Sequence, residues 1–227
     1  MITINNLTVS YGSEKMVINN LHLSLSSGQI HGLVGLNGAG KTSLLDALHG
    51  LLRPTSGSMK YQERPLNKKD ISFLPTENYF YPSITGREYL NLFPNTDFQI
   101  EDWNELFHLP LDQLIDGYST GMKKKLAILG VLKEDKPILI LDEPFNGLDL
   151  ETGRTLHSIL SNLKSKQKTI LITSHILDSL IDLCDEIHYL EAGMIKISIQ
   201  KENFESFKEE LFEKMAQKTK GKLDMLL

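Results

Sequence analysis

An octapeptide at residues 35–42, GLNGAGKT, constrains the fold of this chain more than any other stretch. It fits the pattern G-x-x-x-x-G-K-[ST], a phosphate-binding loop when a strand precedes it and a helix follows it. Residues 29–34, QIHGLV, are typical of a short buried strand, and residues 43–51 space leucines along one face of a helix. The sequence therefore predicts strand, loop and helix in succession. An ordinary glycine turn before a helix is the alternative.

The residue types of the octapeptide suit a nucleotide's phosphate groups. Its glycines allow positive φ and let the backbone approach an anion closely, so that the loop's N–H groups face the phosphates. Lys41 is expected to reach the β- and γ-phosphates, and the hydroxyl of Thr42 to hold Mg²⁺. The predicted phosphate-binding residues are Gly35, Leu36, Asn37, Gly38, Ala39, Gly40, Lys41, Thr42 and Ser43.

Composition limits the classes of protein that this chain can belong to. Its 227 residues suffice for one domain, or one domain with a lobe. The net charge of −5 argues against a nucleic-acid partner, which would favour a basic patch. The single cysteine, Cys184, rules out an intrachain disulfide and is expected to be buried. We find neither a signal peptide nor an apolar run that could cross a bilayer, and expect a cytoplasmic protein.

The periodicity of the remaining chain predicts three successive regions. The first mixes antiparallel strands with one strand–loop–helix unit, with strands at residues 2–9, 16–25, 58–61 and 71–74. The second is a helical lobe near residues 78–132, with helices at 87–93, 101–109 and 122–132. In the third, strands (138–141, 169–172, 186–190, 194–199) alternate with helices (150–163, 176–183). A charged helical tail near 203–227 follows, with Phe207, Leu211, Phe212 and Met215 on one side.

Two acidic residues follow the buried run ILIL at residues 138–141. Ligands of α/β sheets bind outside the carboxyl ends of the strands, so Asp142 is expected to hold the hydration shell of Mg²⁺. Glu143 is then placed to orient or deprotonate an attacking water. The alternative is that both acids merely end a strand at the surface. His175 ends the next strand-like run and is expected to bond the γ-phosphate, unless it is only structural.

The motif order GLNGAGKT, YSTGM, ILILDEP, NGLD and TSH resembles that of the ATP-binding cassette ATPases of ABC transporters, over about residues 2 to 200. In that family YSTGM corresponds to a signature usually written LSGGQ. The signature precedes a helix whose N-terminus faces the γ-phosphate bound by the other subunit. Ser119 and Gly121 match it. Thr120 and Met122 depart from it, in a form similar to exporter-type cassettes.

The resemblance implies roles for further residues. Asp149, in NGLD, belongs to a loop that contacts the opposite subunit, and Tyr11 matches an aromatic residue that stacks on adenine. A structural tyrosine at a turn is the alternative for Tyr11. Thr76 stands where the family has a glutamine, and we expect its hydroxyl to act on Mg²⁺ through water or not at all. Glu77 is the alternative metal ligand.

Two clusters of side chains have competing interpretations. Lys123, Lys124 and Lys125 lie in the first turn of the signature helix, where the helix dipole disfavours positive charge. They form either a solvated basic turn or a positive surface toward a partner's nucleotide. The aromatic run at residues 79–81, YFY, is either packed into the lobe or exposed as part of a docking groove for a membrane subunit. We expect at least one ring to be exposed.

The resemblance implies an α/β fold. We expect one ABC ATPase domain over residues 1–227, with a P-loop NTPase core, an antiparallel β subdomain and an inserted helical subdomain. The implied activity is hydrolysis of ATP with Mg²⁺ by a head-to-tail dimer. The expected partners are a second, identical or similar ATPase subunit and a separate permease, driven for export from the inner face of the membrane. A non-transport cassette and a small P-loop kinase are the alternatives. The first typically carries two cassettes or a long insertion, and the second does not need the signature.

Overall fold

A computed structural model describes residues 1–12, 15–174 and 177–213. The strands in this part of the chain are β1 (Ile2–Tyr11), β2 (Lys15–Leu25), β3 (Ile30–Val34), β4 (Ser56–Tyr61), β5 (Arg64–Pro65), β6 (Ile71–Leu74), β7 (Ile138–Leu141), β8 (Thr169–Ser174), β9 (Glu186–Glu191) and β10 (Met194–Gln200). The helices are α1 (Lys41–His49), α2 (Gly86–Asn91), α3 (Ile100–Asn104), α4 (Thr120–Glu134), α5 (Leu150–Ser165), α6 (Asp178–Ile181) and α7 (residues 204–213).

The strands form two sheets. An antiparallel sheet has the order β2-β1-β4-β5, and a six-stranded sheet has the order β10-β9-β3-β8-β7-β6. Within the second sheet only β10 is antiparallel to its neighbour. The mixed α/β architecture predicted from the sequence is therefore confirmed. The parallel strands bring their carboxyl ends to one edge, where α/β proteins bind ligands.

The parallel sheet lies between two apolar layers. Every residue of β7 and β8 is buried, as expected for central parallel strands covered on both faces. Alternate residues of β7 enter different clusters. Leu139 and Leu141 pack with helices α4 and α5, whereas Ile138 and Ile140 pack with α1 and the antiparallel sheet. This sandwich holds the carboxyl ends of β3, β7 and β8 in a fixed relation.

Most predicted elements are confirmed to within two residues at each end, but the predicted helix 101–109 is wrong in its second half. Helix α3 ends at Asn104, whose side chain bonds the peptide of Leu109 twice, at 2.9 Å as donor and at 2.9 Å as acceptor. His108 takes a left-handed φ of 51° inside this turn. The side-chain bonds replace the backbone bonds that a continued helix would make.

The apolar side of the C-terminal helix also differs from the prediction. Phe204 and Phe207 are buried and Leu211 is partly buried, whereas Phe212 is 50 % exposed. The prediction that Phe212 belongs to the apolar side is wrong, because Phe212 lies one residue, about 100° of helix rotation, beyond Leu211. Met215 and residues 214–227 of the predicted tail lie outside the described residues.

The prediction for Cys184 is confirmed, since its side chain is fully buried. Burial raises the pKa of this thiol to about 12, so it stays protonated and unreactive at neutral pH. Among the described helices, none combines the length and the apolar character needed to cross a membrane.

Candidate nucleotide-binding site

The glycine loop connects the end of β3 to the start of α1. Gly40, the residue before the helix, has a φ of 109°, which favours glycine. An added Cβ at Gly35 would lie 2.4 Å from the carbonyl oxygen of Leu190, so this position accepts no larger residue without movement. The peptide of Ala39 accepts a 3.0 Å hydrogen bond from Gly193. These contacts hold the loop against the adjoining turn after β9.

The ammonium of Lys41 lies beside the same loop. Its Nζ donates to the carbonyl oxygen of Gly35 at 2.7 Å and reaches that of Leu36 at 3.5 Å. The cation is thus held next to backbone N–H groups at the N-terminus of α1. Fixed positive charge at a helix N-terminus suits a phosphate group.

Asp142 is the centre of a convergent hydroxyl cluster. The carboxylate is 1 % exposed and accepts from Thr42 Oγ1 at 3.1 Å and from Thr76 Oγ1 at 2.7 Å, both on Oδ2. The hydroxyl of Thr173 donates to its other oxygen, Oδ1. Three separate elements, α1, the loop after β6 and β8, therefore present hydroxyl groups to one buried carboxylate. Oxygen donors of this kind suit a hard cation such as Mg²⁺.

Thr173 is a site residue that the sequence reasoning missed. It donates to Asp142, and its Oγ1 accepts a 2.9 Å hydrogen bond from the backbone N–H of Glu143. The registry of β7 with β8 pairs Leu141 with Ile172, which brings the next residues of both strands together. The sequence alone carried no signal for this role, because the contact depends on the order and register of β7 and β8.

Glu143 has a backbone conformation that is uncommon for its residue type. Its φ of 48° lies in the left-handed region, and its carbonyl accepts from the N–H of Asn146 at 3.2 Å. A non-glycine residue in this region costs about 1–3 kcal/mol, and such strain concentrates at functional sites. The surrounding hydrogen bonds thus stabilise an orientation that a relaxed strand end would not adopt.

These groups line one open cleft of about 490 Å³. Tyr11, at its edge, is 49 % exposed, and its hydroxyl lies 3.3 Å from Ser43 Oγ. The volume suits a small-molecule ligand with several phosphate groups. The lining residues are Tyr11, Lys15, Val17, Asn37, Gly38, Gly40, Lys41, Thr42, Ser43, Thr76, Asp142, Glu143 and Asn146.

The structure does not bring every predicted residue into this cleft. Ser119, Gly121 and Asp149 are absent from its lining, and so are Gly35, Leu36 and Ala39 of the glycine loop. Ser119 caps helix α4 by accepting from the N–H of Met122 at 3.2 Å, and Gly121 packs near the carbonyl of Gly147. His175 lies outside the described residues. The signature segment therefore contacts the loop that contains Asp149 rather than the cleft of its own chain.

The three lysines of the signature helix do not form one solvated turn. Lys125 Nζ lies 3.2 Å from Asp149 Oδ2, but Lys124 is only 5 % exposed, so the solvated interpretation is wrong for Lys124. Burial lowers the pKa of Lys124 to about 8, although the carboxylates of Asp142 and Glu143 oppose this shift. A buried amine whose charge interacts with both strand-end acids was not foreseen.

Asp149 begins helix α5. Its carboxylate accepts from the N–H of Thr152 at 2.8 Å and from the hydroxyl of Thr152 at 3.0 Å. These bonds, together with Lys125, lower the pKa of Asp149 to about 2. The residue therefore stays ionised at neutral pH and links the cap of α5 to the signature helix.

The hydroxyl of Thr76 is engaged directly rather than idle. It donates to Asp142 at 2.7 Å. That it acts on Mg²⁺ through water or not at all stays a prediction. Glu77 is exposed, and its carboxylate accepts from the hydroxyl of Tyr79 at 3.1 Å. Glu77 is not among the residues that line the cleft.

A glycine phosphate loop between a parallel strand and a helix, with an acid at the end of the next strand but one in the same sheet, defines a P-loop nucleotide-binding protein. Residues 18–146 match the family model described as ABC transporter. The chain belongs to this family. It is an ATP-binding subunit of an ABC transporter and hydrolyses ATP.

Relatives extend the match over nearly the whole chain. The chain is 32 % identical over 225 residues to the lantibiotic transport ATP-binding protein SrtF of Streptococcus pyogenes, covering 93 % of this chain and 96 % of that protein. It is 35 % identical over 215 residues to the bacitracin transport ATP-binding protein BcrA of Bacillus licheniformis, covering 86 % and 68 %. A solved ATP-binding subunit of an ABC transporter superposes with a TM-score of 0.82 at 25 % identity, covering 88 % and 90 %.

Proposed function

We propose that this chain works as one of two ATPase subunits arranged head to tail, and that the pair drives a separate membrane permease in export. The observation that carries the proposal is the position of Ser119 and Gly121 outside the cleft of their own chain. A capped helix N-terminus attracts an anion, and in the described part of the chain this one does not line the cleft that contains the glycine loop. A second, identical or similar subunit would supply that site.

Within each cleft, we assign the phosphates of ATP to the glycine loop and Lys41, and the adenine ring to Tyr11. Thr42, Asp142 and Thr76 are the residues that would hold Mg²⁺, directly or through its waters. The convergence of the hydroxyls of Thr42 and Thr76 on Oδ2 of Asp142 supports this assignment. Bound Mg²⁺ would neutralise charge on the β- and γ-phosphates.

The proposed general base is Glu143. The hydrogen bond from its N–H to Thr173 orients the residue at the end of β7, beside the cleft. Its carboxylate would accept a proton from the attacking water, while Asp142 stays with its three hydroxyl donors. His175 is proposed to bond the γ-phosphate, on the ground of its motif alone.

The names of relatives support transport as the use of this activity. SrtF and BcrA are named for lantibiotic and bacitracin transport, and another relative, 31 % identical over 208 residues, is named a Nod factor export protein. We therefore propose export, with this chain held at the inner face of the membrane by its permease. Residues 1–227 would form a single domain whose helical lobe spans about residues 78–132.

The aromatic run at the join of core and lobe is the proposed permease contact. Tyr79 is 85 % exposed and Tyr81 is 68 % exposed, whereas Phe80 packs against the core, so the expectation of at least one exposed ring is confirmed. A small pocket of about 180 Å³ lies beside Tyr79 and Tyr89. Exposed aromatic side chains next to a pocket are typical anchors of protein interfaces.

The experiment is a comparison of ATP binding and turnover in two variants. Lys41→Ala should lose about 10- to 100-fold in ATP affinity, because a charge-assisted contact to phosphate is lost. Glu143→Gln should bind ATP like the parent but lose turnover, since an amide cannot accept the proton of water. Phosphate release from ATP and water alone separates an ATPase from a kinase. Parental turnover in Glu143→Gln, or phosphate release that requires a second acceptor, would contradict the proposal.

A further inference from the structure

A cluster of three metal-ligand residue types lies on the parallel sheet, away from the residues that line the nucleotide cleft. His31 of β3 is paired in register with Glu186 of β9, and His188 lies two residues further along β9. Alternate residues of a strand share a face, and so do paired residues of neighbouring strands. His31, Glu186 and His188 therefore project from one face of the sheet; below they are called the His–Glu cluster.

The donor atoms of the His–Glu cluster are spaced like the ligands of one ion. His31 Nδ1 lies 3.2 Å from His188 Nε2 and 3.4 Å from Glu186 Oε2, and the latter two atoms are 3.8 Å apart. Zinc bonds nitrogen and oxygen at about 2.0–2.2 Å, and tetrahedral geometry then separates its ligands by about 3.3–3.6 Å. The three observed separations bracket that range.

The remaining ring nitrogens have partners that orient the imidazoles. His31 Nε2 lies 3.1 Å from the carbonyl oxygen of Ser26, which can only accept, so His31 presents the lone pair of Nδ1 to the cluster. His188 Nδ1 lies 2.8 Å from the hydroxyl oxygen of Ser198, its paired residue on β10. Metal-binding histidines nearly always have such an outer contact on the second nitrogen.

The protein shields the His–Glu cluster from solvent. Both imidazoles are at most 1 % exposed. Glu186 is partly buried. In the described part of the chain its carboxylate pairs with no lysine or arginine, so a cation would stabilise its ionised form.

We propose that the His–Glu cluster binds one divalent transition-metal ion of the zinc class. A water molecule or the second oxygen of Glu186 would complete four ligands, and the 14 % exposure of the Glu186 side chain gives access from solvent. Imidazole ligands select zinc-class ions over Mg²⁺, so this site is separate from the nucleotide's metal. The bound ion would tie β3, which leads into the phosphate loop, to β9.

A metal-free arrangement is the competing explanation. His188 Nε2–H would then donate to His31 Nδ1, and the hydroxyl of Ser198 would donate to His188 Nδ1. This pattern satisfies both rings without an ion. The positions of the side chains fit both explanations. The response of the protein to Zn²⁺ distinguishes them.

The test is titration of the chelator-treated, nucleotide-free chain with Zn²⁺ and, separately, with Co²⁺. We expect one equivalent of Zn²⁺ in equilibrium dialysis, ligand-field absorption of four-coordinate Co²⁺, and a thermal midpoint that rises with Zn²⁺ concentration. Asp142→Asn removes the carboxylate of the nucleotide site and should leave all three results unchanged. His22→Gln, at an exposed histidine of β2, is a matched control for adventitious binding.

Two variants then decide between the explanations. Glu186→Gln and His188→Gln should each weaken Zn²⁺ binding by at least about tenfold, because each removes a ligand. Glu186→Gln is the safer variant, since its side chain reaches solvent and the amide keeps the same volume. Absence of stoichiometric Zn²⁺ binding, or equal affinity in Glu186→Gln and the parent, would overturn the proposal and leave the hydrogen-bonded pair.

Discussion

The hydroxyl of Thr76 donates a 2.7 Å hydrogen bond to Oδ2 of Asp142, the same oxygen that accepts from Thr42. This contact joins the loop after β6 to the end of β7. The side chain of threonine is shorter than that of glutamine, the residue that the family has at this position. The hydroxyl of Thr76 contacts Asp142. Thr76 therefore acts, in our account, by orienting the carboxylate beside the proposed Mg²⁺ position.

Removing this hydroxyl should raise the Mg²⁺ requirement of the ATPase. We expect Thr76→Ala to need several-fold more Mg²⁺ for half-maximal turnover, because one oxygen of Asp142 loses a partner that orients it. Thr76→Ser keeps the hydroxyl and should resemble the parent. Glu77→Gln should also leave the requirement unchanged, since Glu77 contacts Tyr79. ATPase assays over a range of Mg²⁺ concentrations measure this, and a Thr76→Ala profile equal to the parent's would show that the hydroxyl is idle.

Thr173→Val should impair both stability and turnover. The substitution keeps the shape but leaves Asp142 Oδ1 and the N–H of Glu143 without their hydroxyl partner at a position that is 0 % exposed. Two unsatisfied buried groups cost about 2–4 kcal/mol of unfolding free energy. Urea unfolding and phosphate release from ATP are the measurements.

The matched control for this variant is Thr169→Val on the same strand. Thr169 is also buried, and its hydroxyl accepts a 3.3 Å bond from the N–H of Gly28. The Thr169→Val variant should lose about 1 kcal/mol of unfolding free energy, while its turnover per folded molecule should equal that of the parent. An equal loss of turnover in both variants would mean that Thr173 affects the site only through general stability.

Replacing the buried Lys124 should stabilise the protein at neutral pH. Its pKa is about 8 when folded, against an ordinary value of 10.5, so burial of the charged form is unfavourable below pH 8. At pH 7 the free energy of unfolding of Lys124→Met should therefore exceed that of the parent by about 2–3 kcal/mol. Between pH 8 and 10.5 the unfolded parent binds more protons than the folded parent, so the parent gains stability as the pH rises. The difference in unfolding free energy between Lys124→Met and the parent therefore narrows.

Urea unfolding of Lys124→Met and the parent at pH 7 and near pH 10 measures this difference in unfolding free energy. Lys123→Met, one residue earlier on the same helix, serves as the control because Lys123 is not buried. A gap of the same size at both pH values, or a less stable Lys124→Met at pH 7, would contradict burial of a titrating amine.

The sequence predicted features that depend on local pattern and missed those that depend on register. Residues 71–74 and 138–141 were predicted as strands and are β6 and β7. Short apolar runs between turn residues are typical of buried strands, so the local sequence was sufficient. The contact of Thr173 with Asp142 and that of His31 with His188 join residues 31 and 157 positions apart. Strand order and registry create these contacts, and one sequence shows neither.

Local side-chain bonds account for other differences. The side chain of Asn104 ends α3 early by bonding Leu109, although the apolar spacing continues to residue 109. The inward position of Lys124 follows from how α4 packs on the sheet, because lysine at a helix start is ordinarily solvated. Periodicity gives the face of a helix only when the neighbouring elements are known.

ATP-dependent association of a turnover-deficient variant tests most directly whether two chains share each ATP site. Glu143→Gln with Mg-ATP should sediment as a dimer, because ATP bound in one cleft holds the signature helix of the other chain. The double variant Glu143→Gln, Gly121→Asp should bind ATP with the same affinity but stay monomeric, since a carboxylate at the signature repels the facing γ-phosphate. A Glu143→Gln chain that binds ATP yet remains a monomer at every concentration, or a double variant that dimerises equally well, would contradict the shared site.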